Sequence, residues 1–178
     1  MADRTDRYAM AIFELATAEG VLTEVERQLF DMARVFESSS ELRTALTDPM
    51  IPLERKAGII NDLVGERVTE VTLGIIEYLL RQGRIVELPG IAERLGKRTS
   101  DISGTLIAEV RTAIDLDKQT VKKLEAAFEK MADRPVEVRV VIDETVLGGI
   151  LARVGDTVID GSVARRLESL RSAATGRG

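Results

Sequence analysis

The sequence predicts a mainly α-helical protein in which an N-terminal six-helix bundle is followed by a smaller α/β domain. Two observations lead to this prediction. Apolar residues in the first hundred positions recur every three to four residues, which is the period of an amphipathic helix. Beyond them, two short segments alternate apolar and polar residues, which is the period of a β-strand. The change of period near 100–104 predicts domains of 1–102 and 103–178.

The first three helices are separated by recognisable end signals. Gly20 ends the first helix, because glycine readily adopts the left-handed conformation of a helix C-terminus. The second helix has apolar residues at alternating steps of three and four. Ser38 and Glu41 have the spacing of a capping box for a short third helix. The apolar positions of the three helices are Tyr8, Ala9, Ile12, Phe13, Leu15, Ala16, Leu22, Val25, Leu29, Met32, Phe36, Leu42, Ala45 and Leu46.

Proline and glycine separate the next three helices. Asp48-Pro49 ends the third helix, and Pro52 is placed to open the fourth, since proline suits a first helical turn. The fifth helix, about 69–82, is apolar around most of its circumference and is closed by Gly83. Such a helix must be central or must face a partner. The apolar positions are Leu53, Ala57, Ile60 and Val64 in the fourth helix, Val71, Leu73, Ile75, Ile76, Leu79 and Leu80 in the fifth, and Ile85, Leu88, Ala92 and Leu95 in the sixth.

The second part is predicted to contain two strands and two helices. The first strand alternates around Ala108, and the second covers 136–142. Asp117 is placed to cap an amphipathic helix between them, and Pro135 ends that helix. A glycine-rich stretch and a last helix follow. The apolar positions are Leu106, Ala108 and Val110 in the first strand, Val121, Leu124, Phe128 and Met131 in the first helix, and Val163, Leu167 and Leu170 in the last helix.

Composition excludes several classes of function. The net charge is −5, and residues 103–178 hold 12 acidic and 12 basic side chains, so the excess of acid lies in 1–102. Neither part has the concentrated positive charge that nucleic-acid binding needs. Without cysteine there is no zinc-thiolate site and no thiol nucleophile, and without histidine the usual general base and the commonest metal ligand are missing.

The sequence also gives no sign of a membrane segment. No apolar run approaches the ~20 residues that cross a bilayer. The first seven residues mix acidic and basic side chains and lack an apolar core, so they are neither a signal nor a transit peptide. We therefore expect a soluble, two-part binding protein without a catalytic site, whose association with a membrane is indirect.

Several C-terminal residues that could suggest chemistry are interpreted as structural. Gly148-Gly149 lacks the Lys-Ser/Thr that completes a phosphate-binding loop, so the pair predicts a tight turn. Asp156 and Asp160 fit no calcium-loop spacing, and Asp160 precedes the last helix as an N-cap would. Ser162 has no histidine to activate it and is interpreted as a helix-start hydroxyl.

The same region forms a longer motif that resembles a family signature. It reads Gly-Gly-x-x-x-Arg-x-Gly-Asp-x-x-x-Asp-Gly-Ser-Val, and this order resembles the signature of the delta subunit of the rotary ATP synthase. The mitochondrial counterpart of that family is the oligomycin-sensitivity-conferring protein. Residues 7–13, 52–60 and 83–89 are similar to its N-terminal half, while Ala152 departs from the bulkier aliphatic residue of many members. The motif positions are Gly148, Gly149, Arg153, Gly155, Asp156, Asp160, Gly161, Ser162 and Val163.

The resemblance implies a non-catalytic stator subunit with no cofactor and no metal. It implies that the bundle binds the N-terminal segments of the alpha subunits on the catalytic head, and that the C-terminal domain binds the b subunit of the peripheral stalk. The implied location is the cytoplasmic face of a bacterial plasma membrane, held there through the complex. Such a protein would stop the head from turning with the rotor.

The resemblance further implies a groove between the first and fifth helices that accepts a partner helix. A small residue such as Ala11 would allow close approach, and tyrosines offer apolar rings with wettable hydroxyls. Ile75 and Leu79 are equally consistent with plain core. The candidate contacts are Tyr8, Ala11, Leu15, Val25, Ile75, Tyr78 and Leu79.

Two other classes of protein remain open at this point. A generic adaptor would use its two parts to bind unrelated cytosolic proteins. A small enzyme could use paired carboxylates for acid–base chemistry. No constellation in the sequence brings two carboxylates together for that purpose.

Overall fold

The computed structural model describes residues 4–146, 148–155 and 157–161 of the chain. The chain divides into two compact units, residues 1–99 and 100–178. The mainly helical fold with a smaller sheet-containing part, predicted from the two periods, is confirmed in this described part of the chain.

Six α-helices and one short 3₁₀ helix precede the first strand in the described residues. Ile85, predicted to belong to the sixth α-helix, lies in the 3₁₀ helix instead. The last of these α-helices continues past residue 99, so the boundary between the units falls within a helix. The elements are α1 Arg4–Ala18, α2 Leu22–Ser38, α3 Ser40–Thr47, α4 Leu53–Val64, α5 Glu70–Arg81, the 3₁₀ helix Ile85–Glu87 and α6 Leu88–Ser103.

The core of the first unit follows the predicted apolar stripes, except at Leu15 and Leu53. Leu15 in α1 is 47% exposed. Leu53 was predicted to be buried but is 38% exposed. It is the first residue of α4, directly after Pro52, and only Ile60 of that helix is fully buried. The core residues are Ala9, Ile12, Ala16, Val25, Leu29, Met32, Ala33, Phe36, Leu46, Ile60, Ile75, Ile76, Leu79, Leu80, Ile85, Leu88, Ile91, Ala92 and Leu95.

The predicted cap of α3 is wrong by one residue. Ser39 caps this helix, because its hydroxyl oxygen accepts a hydrogen bond from the Leu42 N–H at 3.1 Å. Ser38 is instead the last residue of α2, and its hydroxyl donates to the Val35 carbonyl. The second helix is therefore one residue longer than the capping-box pattern allows.

The second unit holds a four-stranded sheet in the order β2-β1-β3-β4 within the described residues. β1 and β2 are parallel, while β3 is antiparallel to both β1 and β4. The two predicted strands and the helix between them are confirmed, and β3 and β4 were not predicted. The elements are β1 Leu106–Thr112, α7 Lys118–Ala132, β2 Val136–Ile142, β3 Leu151–Val154 and β4 Thr157–Asp160.

One face of α7 packs against the sheet to form a separate core. Phe128 is its buried residue, and Val121 and Leu124 are partly buried. Met131, predicted to share this apolar face, is 54% exposed in the last turn, where Ala132 makes the final contact with the core. The buried residues of this core are Ala108, Val110, Phe128, Val136, Val138, Ala152 and Val154.

Asp117 caps α7 as the sequence predicted. Its carboxylate accepts hydrogen bonds from the N–H groups of Gln119 and Thr120 at 2.8 and 2.9 Å, and from the Thr120 hydroxyl at 2.8 Å. The bond from the Thr120 N–H, followed by that from its hydroxyl, lowers the pKa of Asp117 below its ordinary value. Folding therefore favours the ionised carboxylate.

Replacing Asp117 with asparagine should remove a pH-dependent part of the stability. Because the pKa is lowered on folding, this contribution is present above the unfolded value of about 3.9 and is lost as the pH falls through the folded value. Thermal unfolding followed by circular dichroism should show wild type more stable than Asp117→Asn at pH 7, with the difference shrinking below about pH 4. Thr120→Val should retain part of the effect. A difference that stays constant from pH 7 to pH 2 would contradict this assignment.

Candidate functional site

A groove of about 470 Å³ runs between α1 and α5 in the first unit. Six of the seven residues that the sequence suggested for a partner helix line it. The residues that line the groove are Tyr8, Ala11, Ile12, Leu15, Glu19, Glu70, Val71, Gly74, Ile75, Tyr78 and Leu79. Most of these side chains are apolar, so the groove offers an apolar surface to water.

The floor of the groove is part of the core. Ile12, Ile75 and Leu79 line the groove and are also buried members of the first hydrophobic cluster. The alternatives left open for Ile75 and Leu79, core or interface, are therefore not exclusive. A partner that fills the groove would rest on side chains that already stabilise the fold.

The rim of the groove carries the more exposed side chains. Tyr78 is 53% exposed and Leu15 is 47% exposed. The rings of Tyr8 and Tyr78 meet with centroids 6.4 Å apart and planes tilted by 56°. This tilted geometry is favourable for an aromatic pair and joins α1 to α5 at the groove wall.

Gly74 is a groove residue that the sequence reasoning missed. It is exposed on α5, and a methyl group added there would meet no atom within 4 Å. Glycine within a helix costs stability relative to alanine, so its position among the apolar residues of α5 was the available signal. Gly74 on α5 has no side chain and Ala11 on α1 has only a methyl group, so the backbone of a partner helix can approach both walls of the groove closely.

Among the residues that the structure describes, two carboxylates and no basic side chain line the groove. Glu70 is the first residue of α5, and Glu19 directly follows α1. The sequence did not suggest either acid as a contact. The same is true of Ile12 and Val71, which also line the groove. An apolar partner with basic side chains on its flanks would match this surface.

Val25, one of the seven candidate contacts, does not line the groove. It is fully buried in α2 and packs within the first core. A side chain with no exposed surface cannot contact a partner directly unless the core opens. Its regular spacing with Leu29 and Met32 reflects the buried face of α2.

The C-terminal motif lies around β3 and β4. Gly148, Gly149 and Gly155 have positive φ angles of 65°, 88° and 57°, a backbone conformation that residues with a side chain rarely adopt. The Gly161 N–H donates to the Ile150 carbonyl at 2.9 Å. Asp160 is the last residue of β4 and pairs with Leu151, so the structure places it in a strand. Asp156, Ser162 and the predicted last helix, with Val163, Leu167 and Leu170, lie outside the described residues.

Metal sites and membrane-spanning helices are two other features that the described part of the chain lacks. Within 4–146, 148–155 and 157–161, no group of three or more Asp or Glu residues could hold a metal ion. Over the same ranges, no helix has the length and the apolar character to cross a membrane.

Residues 5–174 match the family described as the ATP synthase delta (OSCP) subunit. The chain belongs to this family. The resemblance drawn from the motif Gly148–Val163 and from the N-terminal runs is therefore confirmed over nearly the whole chain.

Several proteins named ATP synthase subunit delta are similar to this family member in sequence. That of Flavobacterium psychrophilum is 33% identical over 165 residues, covering 93% of this chain and 93% of the relative. That of Desulforudis audaxviator is 30% identical over 167 residues, covering 94% and 92%. That of Parafrankia sp. is 35% identical over 160 residues, where the match covers 90% of this chain but spans only 57% of the relative's length.

Solved structures support the fold of this family member. A chain of the Toxoplasma gondii mitochondrial ATP synthase hexamer superposes with a TM-score of 0.59 at 22% identity, over 99% of this chain and 100% of that one. A chain of the Polytomella F-ATP synthase, refined on the F1 head and rotor, gives a TM-score of 0.52 at 22% identity over 58% of this chain and 91% of that one. At these identities the likeness concerns the fold alone.

Proposed function

We propose that this chain is a non-catalytic stator subunit of the rotary proton-translocating ATP synthase. It links the alpha subunits of the catalytic head to the b-subunit peripheral stalk, so that the head resists the torque of the rotor. The observation that carries the proposal is the groove between α1 and α5, in a member of the delta subunit family. The chain binds the cytoplasmic face of a bacterial plasma membrane only through these partners.

The groove has the features of a site for an amphipathic helix. Its floor is apolar, its walls are lowered at Ala11 and Gly74, and Tyr78 stands partly exposed at the rim. A helix that lays its apolar face here would bury the exposed parts of Leu15 and Tyr78. Large aromatic side chains at such positions commonly carry much of the binding energy.

The charge of the groove favours one kind of helix. Glu19 and Glu70 would attract lysine or arginine on the flanks of the partner's apolar face, and would repel acidic side chains there. The family resemblance implies the N-terminal segments of the alpha subunits as the partner, so we assign them to this groove and expect basic side chains beside their apolar face. The interaction is then expected to weaken as salt is added, because salt screens exposed charges.

The two-unit organisation supports a second binding partner. Each unit has its own hydrophobic core, so each can present a binding surface of its own. We propose that residues 1–102 bind the head and that residues 103–178 bind the b subunit. A protein that only connects two partners needs no catalytic chemistry, which fits a chain without cysteine or histidine.

Calorimetry on the full chain provides a direct test. A synthetic peptide of the alpha-subunit N-terminal segment should bind with a Kd in the micromolar range or tighter, with weaker binding at high salt. The double variant Glu19→Gln and Glu70→Gln should bind more weakly and lose most of the salt dependence. Absence of heat at micromolar concentrations would refute the groove assignment.

Co-purification from detergent-solubilised membranes tests the linking role. A tagged full chain should retain the alpha and b subunits, identified by mass spectrometry. Retention of unrelated cytosolic proteins without either subunit would support the generic adaptor instead. Hydrolysis of ATP by the isolated chain would support the enzyme alternative.

A further inference from the structure

A buried polar cluster joins α2 to the beginning of α5. The side-chain oxygen of Gln28, in α2, accepts three hydrogen bonds from α5 and its cap. The donors are the Thr69 N–H at 3.0 Å, the Thr69 hydroxyl at 3.2 Å and the Thr72 hydroxyl at 2.6 Å. The two threonine hydroxyls also lie 3.0 Å from each other.

The cluster lies where an unpaired polar group would be costly. Thr72 is fully buried and Gln28 is 9% exposed. A buried donor without an acceptor loses the hydrogen bond that water gave it, so each of these groups requires its partner. Hydrogen bonds also restrict distance and direction, whereas apolar contacts do not. The cluster therefore defines one position of α5 along α2.

The polar cluster fixes the position of the first turn of α5. Thr69 is the N-cap of this helix, and its hydroxyl oxygen accepts the Thr72 N–H at 3.3 Å. Two residues in the groove wall, Glu70 and Val71, lie between these two threonines in sequence, and Gly74 lies one turn further along. A displacement of the cap would move this wall relative to α1.

We propose that Gln28 is a positioning residue that fixes the width of the groove without touching its occupant. It is not among the residues that line the groove. Gln28 anchors the cap of α5 to α2, and the cap in turn places the α5 wall. The identity of the occupant rests on the proposed function, whereas the effect on the groove itself does not.

The groove can be measured without any partner. The chain has no cysteine, so Glu14→Cys on α1 and Glu70→Cys on α5 introduce a unique pair of labelling sites. With spin labels at these sites, double electron–electron resonance should give one narrow distance distribution in the otherwise unchanged chain. Gln28→Met, similar in length but without an acceptor, should broaden or shift that distribution.

Peptide affinity is the second readout and is measured without labels. Gln28→Met should weaken binding of the alpha-subunit peptide roughly tenfold, because the buried threonine donors lose their acceptor and the wall is no longer fixed. Gln28→Glu should restore both the distance and the affinity, since a carboxylate accepts the same three donors and suits a helix N-terminus.

A control separates positioning from a general loss of stability. Ser39→Ala removes the cap of α3, far from the groove lining in sequence, and should lower the melting temperature without changing distance or affinity. Thr72→Val, which removes one donor, should give an intermediate change and serves if Gln28→Met fails to fold. Equal distance distributions in wild type, Gln28→Met and Thr72→Val would overturn the proposal. If wild type binds no peptide while Gln28→Met still broadens the distribution, the proposed function fails and the positioning role stands.

Discussion

Replacing Gly74 with glutamine should weaken docking of the partner helix by about ten- to a hundredfold, and should stabilise the chain at the same time. The new side chain would project from α5 into the groove, where a methyl group at this position meets no atom within 4 Å. Overfilling a site that must accept another helix costs about 1–3 kcal/mol. Replacing a glycine within a helix also stabilises the folded chain, by roughly 0.5 kcal/mol.

Gly58 supplies a matched control for this variant. It is also an exposed helical glycine with free space around it, but it lies on α4 and does not line the groove. Gly58→Gln should therefore raise the melting temperature as Gly74→Gln does and leave the peptide affinity unchanged. Calorimetry and thermal unfolding on the full chain measure both quantities. If the two variants bound the peptide equally well, the groove would not be the docking site.

The helices of the first unit were predictable because their signals are local. An apolar stripe with a period of 3.6 residues can be buried only as a helix, and the stripe of α2 and the glycine that follows α1 are visible in the sequence. Strands β1 and β2 were predictable for the same reason, since apolar residues occupy alternate positions in each. Helix ends were harder. A shift of one residue moved the cap of α3 from Ser38 to Ser39, although both are serines.

The two short strands were not predictable from local pattern. β3 and β4 have only four residues each, which is too short to establish a period of two. Their extended form depends on pairing: β3 pairs with β1, whose residues lie about forty positions earlier in the chain. The buried side of β3, with Ala152 and Val154, exists because that partner strand is present.

The groove was located in advance only through the resemblance to a known family. Apolar periodicity identified Val25, Ile75 and Leu79 equally well, yet Val25 is interior and the other two line the groove. Which apolar face stays open depends on how the other helices pack, and that is not a local property. Gly74 was missed because its one signal, a costly glycine among apolar helix residues, does not by itself distinguish the close approach of a partner from chance.

Leu79→Ala should cost about 2–5 kcal/mol of unfolding free energy, the largest loss of stability expected for any groove residue. Leu79 is fully buried in the first core, so truncation leaves a cavity that the surrounding helices fill only in part. Because this side chain also forms the floor of the groove, the partner helix should lose contact area as well. Urea unfolding followed by circular dichroism measures the first effect, since the chain has no tryptophan for fluorescence.

Two control variants, Leu15→Ala and Val110→Ala, separate the contribution of Leu79 to stability from its contribution to peptide binding. Leu15 is 47% exposed at the rim, so its truncation should weaken peptide binding with little change in stability. Val110 is fully buried in the second core, so its truncation should lower stability and leave the peptide affinity unchanged. A Leu79→Ala variant that lost stability but kept full affinity would show that the partner rests on the rim alone. If Leu79→Ala lost both stability and peptide affinity, the core of the first unit would also be the surface on which its partner lies.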